Sequence, residues 1–268
     1  GQGGAYVIWK DNAASSYGDI YATHLSSEGA IAPGNGVPII TYSSYRSSPS
    51  LNTGGSGAAV LVWNDDRNAD EDLYAQRISV SGNTINTEWG DEGKLVCNAS
   101  GDQTSPRVTQ YMGDETIITW EDQRNGYTCG SWYCNDAYYQ ILDGDGDGQL
   151  TTNGVSVCSG AWEIIKPRVK AANSVAYIVW EDERNEDTSD IDIYVQKIDQ
   201  NGLTAWEEGG LAVTTANGKQ TEPRLETDGS GGVYFVWEDG RNEMTGCDIY
   251  AQHMNSSGSN INDANGEL

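Results

Sequence analysis

The sequence predicts an all-β fold: a five-bladed β-propeller with four antiparallel strands per blade and incomplete blades at both ends. The main observation is a repeat, since five apolar runs end in Trp-x-Asp and each is followed by a block that begins Asp-x-Tyr. Composition agrees, because 33 Gly, 15 Tyr and 9 Trp against 15 Lys and Arg are typical of a turn-rich β protein. The repeated tryptophans are Trp9, Trp63, Trp120, Trp180 and Trp237, at spacings of 54, 57, 60 and 57 residues.

Each repeat reads as four strands. The run before Trp, such as "AYIVWED", is apolar at nearly every position, which is typical of a strand buried on both faces. The next block, such as "DIYVQKI", alternates as a half-exposed strand does. A short strand such as "LAVT" follows and is expected to be outermost. A strand with Pro near its start, such as "EPRLET", is expected to be innermost.

We expect one domain over residues 1–268, with repeats at approximately 1–47, 48–104, 105–165, 166–221 and 222–268. The first repeat has no Pro-containing strand before it, and the fifth stops where its outer strand would begin. These ends predict that the chain is part of a longer protein.

The net charge of −25 argues against binding to nucleic acid or to anionic membranes, both of which need a basic surface. No apolar run reaches transmembrane length, so membrane insertion is not expected. Three interpretations of the charge fit: bound Ca²⁺, a high-salt habitat, or simple solubility.

The repeated residues favour architecture over catalysis, because a catalytic site is usually singular. We expect each Trp to pack between blades, the following Asp to cap the turn by accepting backbone N–H bonds, and the next Arg to pair with a carboxylate. The aspartates are Asp11, Asp65, Asp122, Asp182 and Asp239, and the arginines are Arg67, Arg124, Arg184 and Arg241.

Two aspartates bracket the loop after each Trp strand, and two interpretations stay open for them: Ca²⁺ ligands or a solvated acidic loop. The pairs are Asp11/Asp19, Asp65/Asp72, Asp122/Asp136, Asp182/Asp192 and Asp239/Asp248.

One acidic motif indicates a calcium site more specifically than the bracketing pairs do. "DGDGDGQL" places Asp143, Asp145 and Asp147 at alternate positions, with Gln149 able to offer a backbone carbonyl. Gly154 stands where an EF-hand loop has its Glu, so the motif looks more like the calcium hairpins of integrin-type propellers. Calcium is the predicted cofactor, and an ion-free acidic turn is the alternative.

Five cysteines follow no zinc spacing. Cys129 and Cys134 are the disulfide candidate, while the pairing of Cys97, Cys158 and Cys247 stays open. We take this as support for an extracellular or cell-surface location.

No catalytic motif was found, and there are only two histidines, His24 and His253. The block "VWEDxRN…DIYAQ" resembles the tandem propeller repeats of secreted or cell-surface bacterial proteins. That resemblance covers nearly the whole chain and implies a propeller and export, while the function of that family is largely undefined.

The leading expectation is a non-catalytic, Ca²⁺-stabilised propeller for adhesion or for binding a glycan or protein ligand. The alternative is a structural subunit of a surface array or filament that self-associates. The third hypothesis is a glycosidase with paired carboxylates in the central funnel.

Overall fold

The computed structural model describes residues 4–12, 17–40, 43–185, 190–242 and 246–268. Within these ranges the chain is all-β, with no helix. Accordingly, none of the described residues forms a helix long and apolar enough to cross a bilayer.

The described strands form five sheets of three to five strands and a small two-stranded hairpin. The first sheet is β1 (Gly4–Asp11), β2 (Asp19–Ser26) and β3 (Ile31–Ile40). The second is β4 (Arg46–Thr53), β5 (Ala59–Asp65), β6 (Asp72–Ser81) and β7 (Thr84–Thr87), with β8 (Lys94–Cys97) also paired to β6. The third contains β9 (Gln103–Gln110), β10 (Thr116–Asp122), β13 (Asp136–Leu142) and β14 (Val155–Cys158), and the hairpin is β11 (Thr128–Cys129) with β12 (Trp132–Tyr133). The fourth is β15 (Ile164–Ala172), β16 (Val175–Asp182), β17 (Asp192–Ile198) and β18 (Leu211–Thr214), and the fifth is β19 (Gln220–Thr227), β20 (Val233–Asp239) and β21 (Asp248–Met254).

The chain divides into two compact units. The first comprises residues 1–118 and 140–154, and the second comprises residues 119–139 and 155–268. The all-β class is confirmed, whereas the count of five blades, with incomplete blades at both ends, stays a prediction.

The Trp-x-Asp strand lies inside its sheet, and the Pro-containing strand lies at one edge. In the fourth sheet the order is β15-β16-β17-β18, so the edges are the Pro-containing strand and the short "LAVT" strand. Every residue of β5 and β10 is buried, as expected for strands covered on both faces.

Each unit has its own apolar core. In the first unit, Trp63 and Leu61 pack with Ile20 and Ile40. In the second unit, Trp237 and Phe235 pack with Tyr177, Val179 and Val195. In both cores the Trp side of one sheet therefore meets apolar side chains of the preceding sheet.

A β-bulge interrupts each Pro-containing strand for which the register is known. The register shifts between Ile165 and Arg168 in β15 and between Thr221 and Arg224 in β19. The residue before Pro takes a left-handed φ, 54° at both Lys166 and Glu222. Side-chain-bearing residues rarely adopt this backbone, and such strain is often found at functional sites.

Candidate functional site

The Trp-x-Asp-x-Arg segment builds a buried lattice of hydrogen bonds. In the fourth repeat, the Trp180 Nε1–H donates to Asp182 Oδ2 at 2.7 Å. Arg184 binds both oxygens of Asp182, at 2.7 Å from Nε and 2.5 Å from an Nη, and its guanidinium lies over the ring of Tyr194 at 3.9 Å. The Asp182 side chain is fully buried, so this bidentate pair is shielded from solvent.

The lattice recurs in the second, third and fifth repeats. The Trp indole donates to its Asp at 3.1, 2.7 and 2.7 Å, and the backbone N–H of the Arg donates to the same Asp at 3.1, 2.9 and 2.9 Å. Burial opposes ionisation of Asp65 and Asp239, but hydrogen bonds from Arg67 and Arg241 outweigh it and lower the pKa of each carboxyl. In the first repeat Trp9 is only half-buried, and Lys10 lies over Tyr45 instead.

In the second to fifth repeats the second aspartate of the bracketing pair belongs to the same lattice, because an Asn donates to it. Asn185 Nδ2 donates to Asp192 Oδ2 at 2.9 Å and to the Tyr194 hydroxyl at 3.1 Å, and Asp192 is fully buried. The aspartates of the second, third and fourth pairs are buried and accept hydrogen bonds from Arg and Asn, so a solvated loop does not describe them, and Ca²⁺ binding by the bracketing pairs stays a prediction. Residues 186–189, in the acidic loop between Asp182 and Asp192, lie outside the described residues.

The "DGDGDG" loop is a hairpin turn closed by its first aspartate. Asp143 Oδ1 accepts the backbone N–H groups of Asp145 and Asp147 at 3.0 and 2.9 Å. Gln149 Nε2 donates to Asp143 Oδ2 at 2.8 Å, and Lys94 Nζ lies 3.0 Å from Asp147 Oδ1. Asp199 closes the equivalent turn of the fourth repeat with the same two bonds, so the turn itself needs no triplet of aspartates.

The structure joins the two cysteines that lie closest in the sequence and leaves the other three as thiols. Cys129 and Cys134 form a disulfide, and Cys97, Cys158 and Cys247 are outside any disulfide. Burial raises the pKa of the Cys158 thiol to about 12, although the Arg184 guanidinium opposes the shift. Among the described residues, the group of metal-ligand side chains that comes within 4.8 Å is Cys129, Cys134 and Glu163, and its two sulfurs are already bonded to each other.

A second polar cluster forms where the strained bulges meet the ends of the Trp strands. Lys166 Nζ lies 3.1 Å from Glu181 Oε1 and 2.7 Å from Glu222 Oε1. The two carboxylate oxygens are therefore at most 5.8 Å apart, the sum of the two lysine distances. Arg168 and Arg224 approach the other oxygen of Glu222 at 3.4 and 3.2 Å.

The two carboxyl groups of this cluster have opposite electrostatic environments. Burial raises the pKa of Glu181, whose side chain is 1% exposed, and hydrogen bonds from the Glu222 backbone and from Lys166 offset the shift only in part. The hydrogen bond from Lys166 lowers the pKa of Glu222, with help from Arg224. Lys166 contacts both carboxyl groups, but Arg168 and Arg224 also approach Glu222, so Glu222 has more positive charge beside it than Glu181 has. Pairs whose pKa values are driven apart in this way are typical of acid/base sites.

Lys166, Glu181 and Glu222 were not among the predicted site residues, because they belong to no known catalytic motif and lie within repeats that the sequence assigns to architecture. The position after the repeated Trp is Lys10, Asn64, Glu121, Glu181 and Glu238 in the five repeats, and the position before the bulge Pro is Ser48, Ser105, Lys166 and Glu222. The sequence did contain a signal, because the residue types at these two positions vary among the repeats. Only the fourth repeat and the start of the fifth bring two glutamates and a lysine to these positions.

Comparison with known proteins supports the fold. No family model and no curated protein matches the chain. Among solved structures, the chain is similar to an α-L-arabinanase from Penicillium chrysogenum in complex with arabinobiose, at a TM-score of 0.55 and 11% identity, over 80% of this chain and 65% of that one. It is also similar to a protein of unknown function from Dyadobacter fermentans, at a TM-score of 0.52 and 9% identity, over 93% and 70% of the two chains.

A third similar structure is an α-L-arabinofuranosidase from Fusarium graminearum bound to an iminosugar inhibitor, at a TM-score of 0.50 and 8% identity, over 77% of this chain and 61% of that one. The chain thus spans less than two thirds of both enzymes. At these identities the likeness establishes a fold of the propeller type.

The expectation of a non-catalytic adhesion module or array subunit is wrong on this comparison. Two of the similar structures are named as an arabinanase and an arabinofuranosidase, which contradicts both the functional expectation and the statement that the protein is not an enzyme. The physical reason is that a regular repeat does not exclude a single catalytic site built from its unrepeated positions.

Proposed function

We propose that this chain is a glycoside hydrolase built on a five-bladed propeller, with Glu181 as general acid and Glu222 as nucleophile. One observation carries the proposal: Glu181 and Glu222 share Lys166, lie close together, and have pKa values shifted in opposite directions. Paired carboxyl groups, one protonated and one ionised, are what glycosidic bond cleavage requires.

The chemistry follows from the protonation states. Protonated Glu181 gives its proton to the glycosidic oxygen as the bond to the leaving sugar breaks, and ionised Glu222 attacks the anomeric carbon. Water then cleaves the resulting ester, and Glu181 takes up the proton of that water and returns to its starting form.

Lys166 has two roles in this proposal. Its ammonium group favours the ionised form of Glu222, and its side chain covers the buried Glu181. The Lys166 side chain is 38% exposed, so a substrate can displace it and reach Glu181 without moving the backbone.

The substrate class we propose is a neutral glycan that contains arabinofuranose. The two similar enzymes carry names of arabinose-specific activities, and one of them is bound to arabinobiose. We also propose an extracellular or cell-surface location, supported by the Cys129–Cys134 disulfide, because disulfides persist in oxidising compartments.

The test is release of reducing sugar from linear arabinan by the purified chain and by Glu222→Gln, Glu181→Gln and Glu121→Gln. Glu121 is the matched control, because it accepts the Lys166 N–H at 2.7 Å just as Glu181 accepts the Glu222 N–H at 2.7 Å. We expect Glu222→Gln and Glu181→Gln to lose roughly a hundredfold or more of the rate, and Glu121→Gln to keep most of it.

Equal rates in all four proteins would show that the glutamates support the bulges and do not act on the substrate. Absence of hydrolysis by the unmodified chain on arabinan, arabinoxylan and aryl arabinofuranosides would also overturn the proposal.

A further inference from the structure

The loop between Asp122 and Asp136 carries a hairpin that no other repeat has among the described residues. Strands β11 and β12 pair Thr128 with Tyr133 and Cys129 with Trp132, around a turn in which Gly130 has φ +67°. Two-residue hairpin turns require such a φ at their first central position. The Cys129–Cys134 disulfide closes the base, so a short hairpin that would be marginal alone is held in shape.

This hairpin exposes large aromatic side chains. Trp132 is 80% exposed and Tyr133 is 60% exposed. Exposed tryptophan is unusual, because the indole is among the largest apolar groups a chain can bury. A rigid, exposed aromatic ring loses little conformational entropy when a ligand covers it, which makes it suitable for recognition.

Trp132 and Tyr133 lie on opposite faces of the hairpin, because consecutive strand residues alternate. Trp132 is opposite Cys129 in the register, so the two side chains share a face. The sulfurs of Cys129 and Cys134 lie within 4.8 Å of a Glu163 carboxylate oxygen. The face that carries Trp132 is therefore the face toward Glu163, and Tyr133 points away from it.

Glu163 connects the hairpin to the Lys166 cluster. Asn135, at the base of the hairpin, donates from Nδ2 to Glu163 Oε1 at 2.5 Å, and its carbonyl accepts the Ile164 N–H at 3.1 Å. Glu163 immediately precedes strand β15, which carries Lys166 at its bulge. The hairpin and the carboxylate pair therefore lie at the same end of β15.

We infer that Trp132 is a stacking platform for a sugar ring of the bound glycan, with Glu163 accepting hydrogen bonds from that sugar's hydroxyl groups. The C–H face of a sugar packs on an indole as other apolar groups do, and the carboxylate satisfies the hydroxyls at the edge of the ring. This inference rests on the proposed function for the path of the glycan, and it adds a substrate subsite to it.

The charges near this subsite select the ligand. Burial raises the pKa of the Glu163 carboxyl, and the negative charges of Glu183 and Glu121 add to that rise, so both charged groups that act on Glu163 from nearby are anionic. Like-charge repulsion disfavours uronic acids at such a place. The subsite is therefore suited to a neutral glycan.

The test is affinity gel electrophoresis with linear arabinan or polygalacturonate in the gel, using a Glu222→Gln background so that binding is measured without turnover. Trp132→Ala is compared with Tyr133→Ala, an exposed aromatic of the same hairpin on the other face, and thermal melting checks that both variants fold. We expect arabinan to retard the parent and the Tyr133→Ala variant equally, Trp132→Ala to bind about tenfold more weakly, and polygalacturonate to retard none of them.

Three outcomes would overturn the inference: equal retardation of Trp132→Ala and its parent, equal losses in both aromatic variants, or no retardation of the parent by arabinan. Failure of this inference can be distinguished from failure of the proposed function. Hydrolysis of arabinan can persist even if Trp132→Ala binds arabinan as well as its parent does. Conversely, Trp132-dependent binding can persist in a chain that hydrolyses nothing.

Discussion

The backbone N–H of Glu222 donates a hydrogen bond of 2.7 Å to Oε1 of Glu181. Glu222 belongs to strand β19 and Glu181 ends strand β16 with Asp182, so the bond ties the bulge of one sheet to the Trp strand of the preceding sheet. Glu222 takes the left-handed φ of the residue before Pro, and its side chain and that of Glu181 both reach Lys166. The strained bulge therefore positions the carboxylate pair.

The first prediction concerns the pH dependence of kcat/KM on arabinan. Glu222 must be ionised, and its pKa is lowered by Lys166, so activity falls only when the pH drops below the ordinary glutamate range. Glu181 must be protonated, and its pKa is raised by burial, so activity falls as the pH rises through that raised pKa. A bell-shaped profile is expected.

The Lys166→Met variant tests this assignment of the two limbs. Loss of the ammonium group raises the pKa of Glu222, so the acidic limb should move to higher pH. An acidic limb that is unchanged in Lys166→Met would contradict the role of Glu222 as the ionised group.

The second prediction concerns stereochemistry. The nearer oxygens of Glu181 and Glu222 are at most 5.8 Å apart, which is below the separation of about 6.5–9.5 Å that inverting enzymes need for a water molecule. We expect net retention of anomeric configuration, measured by proton NMR of the first product released from an aryl arabinofuranoside. Initial release of the inverted anomer would rule out Glu222 as a nucleophile.

The all-β class, the strand order and the buried Trp strands could be predicted, because they depend on apolar periodicity and on a repeat written five times. The Lys166 cluster could not, because its residues come from three separate strands and occupy positions whose residue type varies among the repeats. For the hairpin that bears Trp132 the sequence predicts only the disulfide, since its two strands are two residues long and side-chain exposure cannot be predicted from composition.

The third prediction concerns the buried lattice. Arg184 binds Asp182 with two hydrogen bonds, and its guanidinium lies over the ring of Tyr194. A lysine can form neither the bidentate pair nor the planar stack. We expect Arg184→Lys to lower the free energy of unfolding by about 2–4 kcal/mol, because a buried carboxylate is left poorly paired. Urea unfolding followed by tryptophan fluorescence measures it.

An exposed ion pair serves as the control for the buried pair of Arg184 and Asp182. Lys219 lies 3.7 Å from Asp190 with both side chains largely exposed, so Lys219→Ala should cost less than about 1 kcal/mol. Similar costs for the two substitutions would mean that the lattice does not stabilise the fold through buried pairing.

The fourth prediction concerns calcium at Asp143, Asp145, Asp147 and Gln149. The loop already has its hairpin shape, so a cation would have to draw Asp147 away from Lys94 and bring Asp145, which is exposed, onto the same ion. If the site binds, the protein gains stability by linkage, about 2.7 kcal/mol when free Ca²⁺ is a hundred times its dissociation constant. The measurement is the thermal midpoint in millimolar Ca²⁺ and in excess EDTA.

Asp145→Ala and Asp199→Ala separate a cation site from a turn. Asp145 is a ligand in the hypothesis and accepts no bond that closes the turn, whereas Asp199 closes the equivalent turn of the fourth repeat, where no aspartate triplet is present. A midpoint that rises with Ca²⁺ in the parent and in Asp199→Ala, but not in Asp145→Ala, assigns the ion to this loop. If the thermal midpoint of the parent does not change with Ca²⁺, the hypothesis of a calcium-stabilised blade is wrong, and Asp143 serves to close the turn with its backbone bonds and the bond from Gln149.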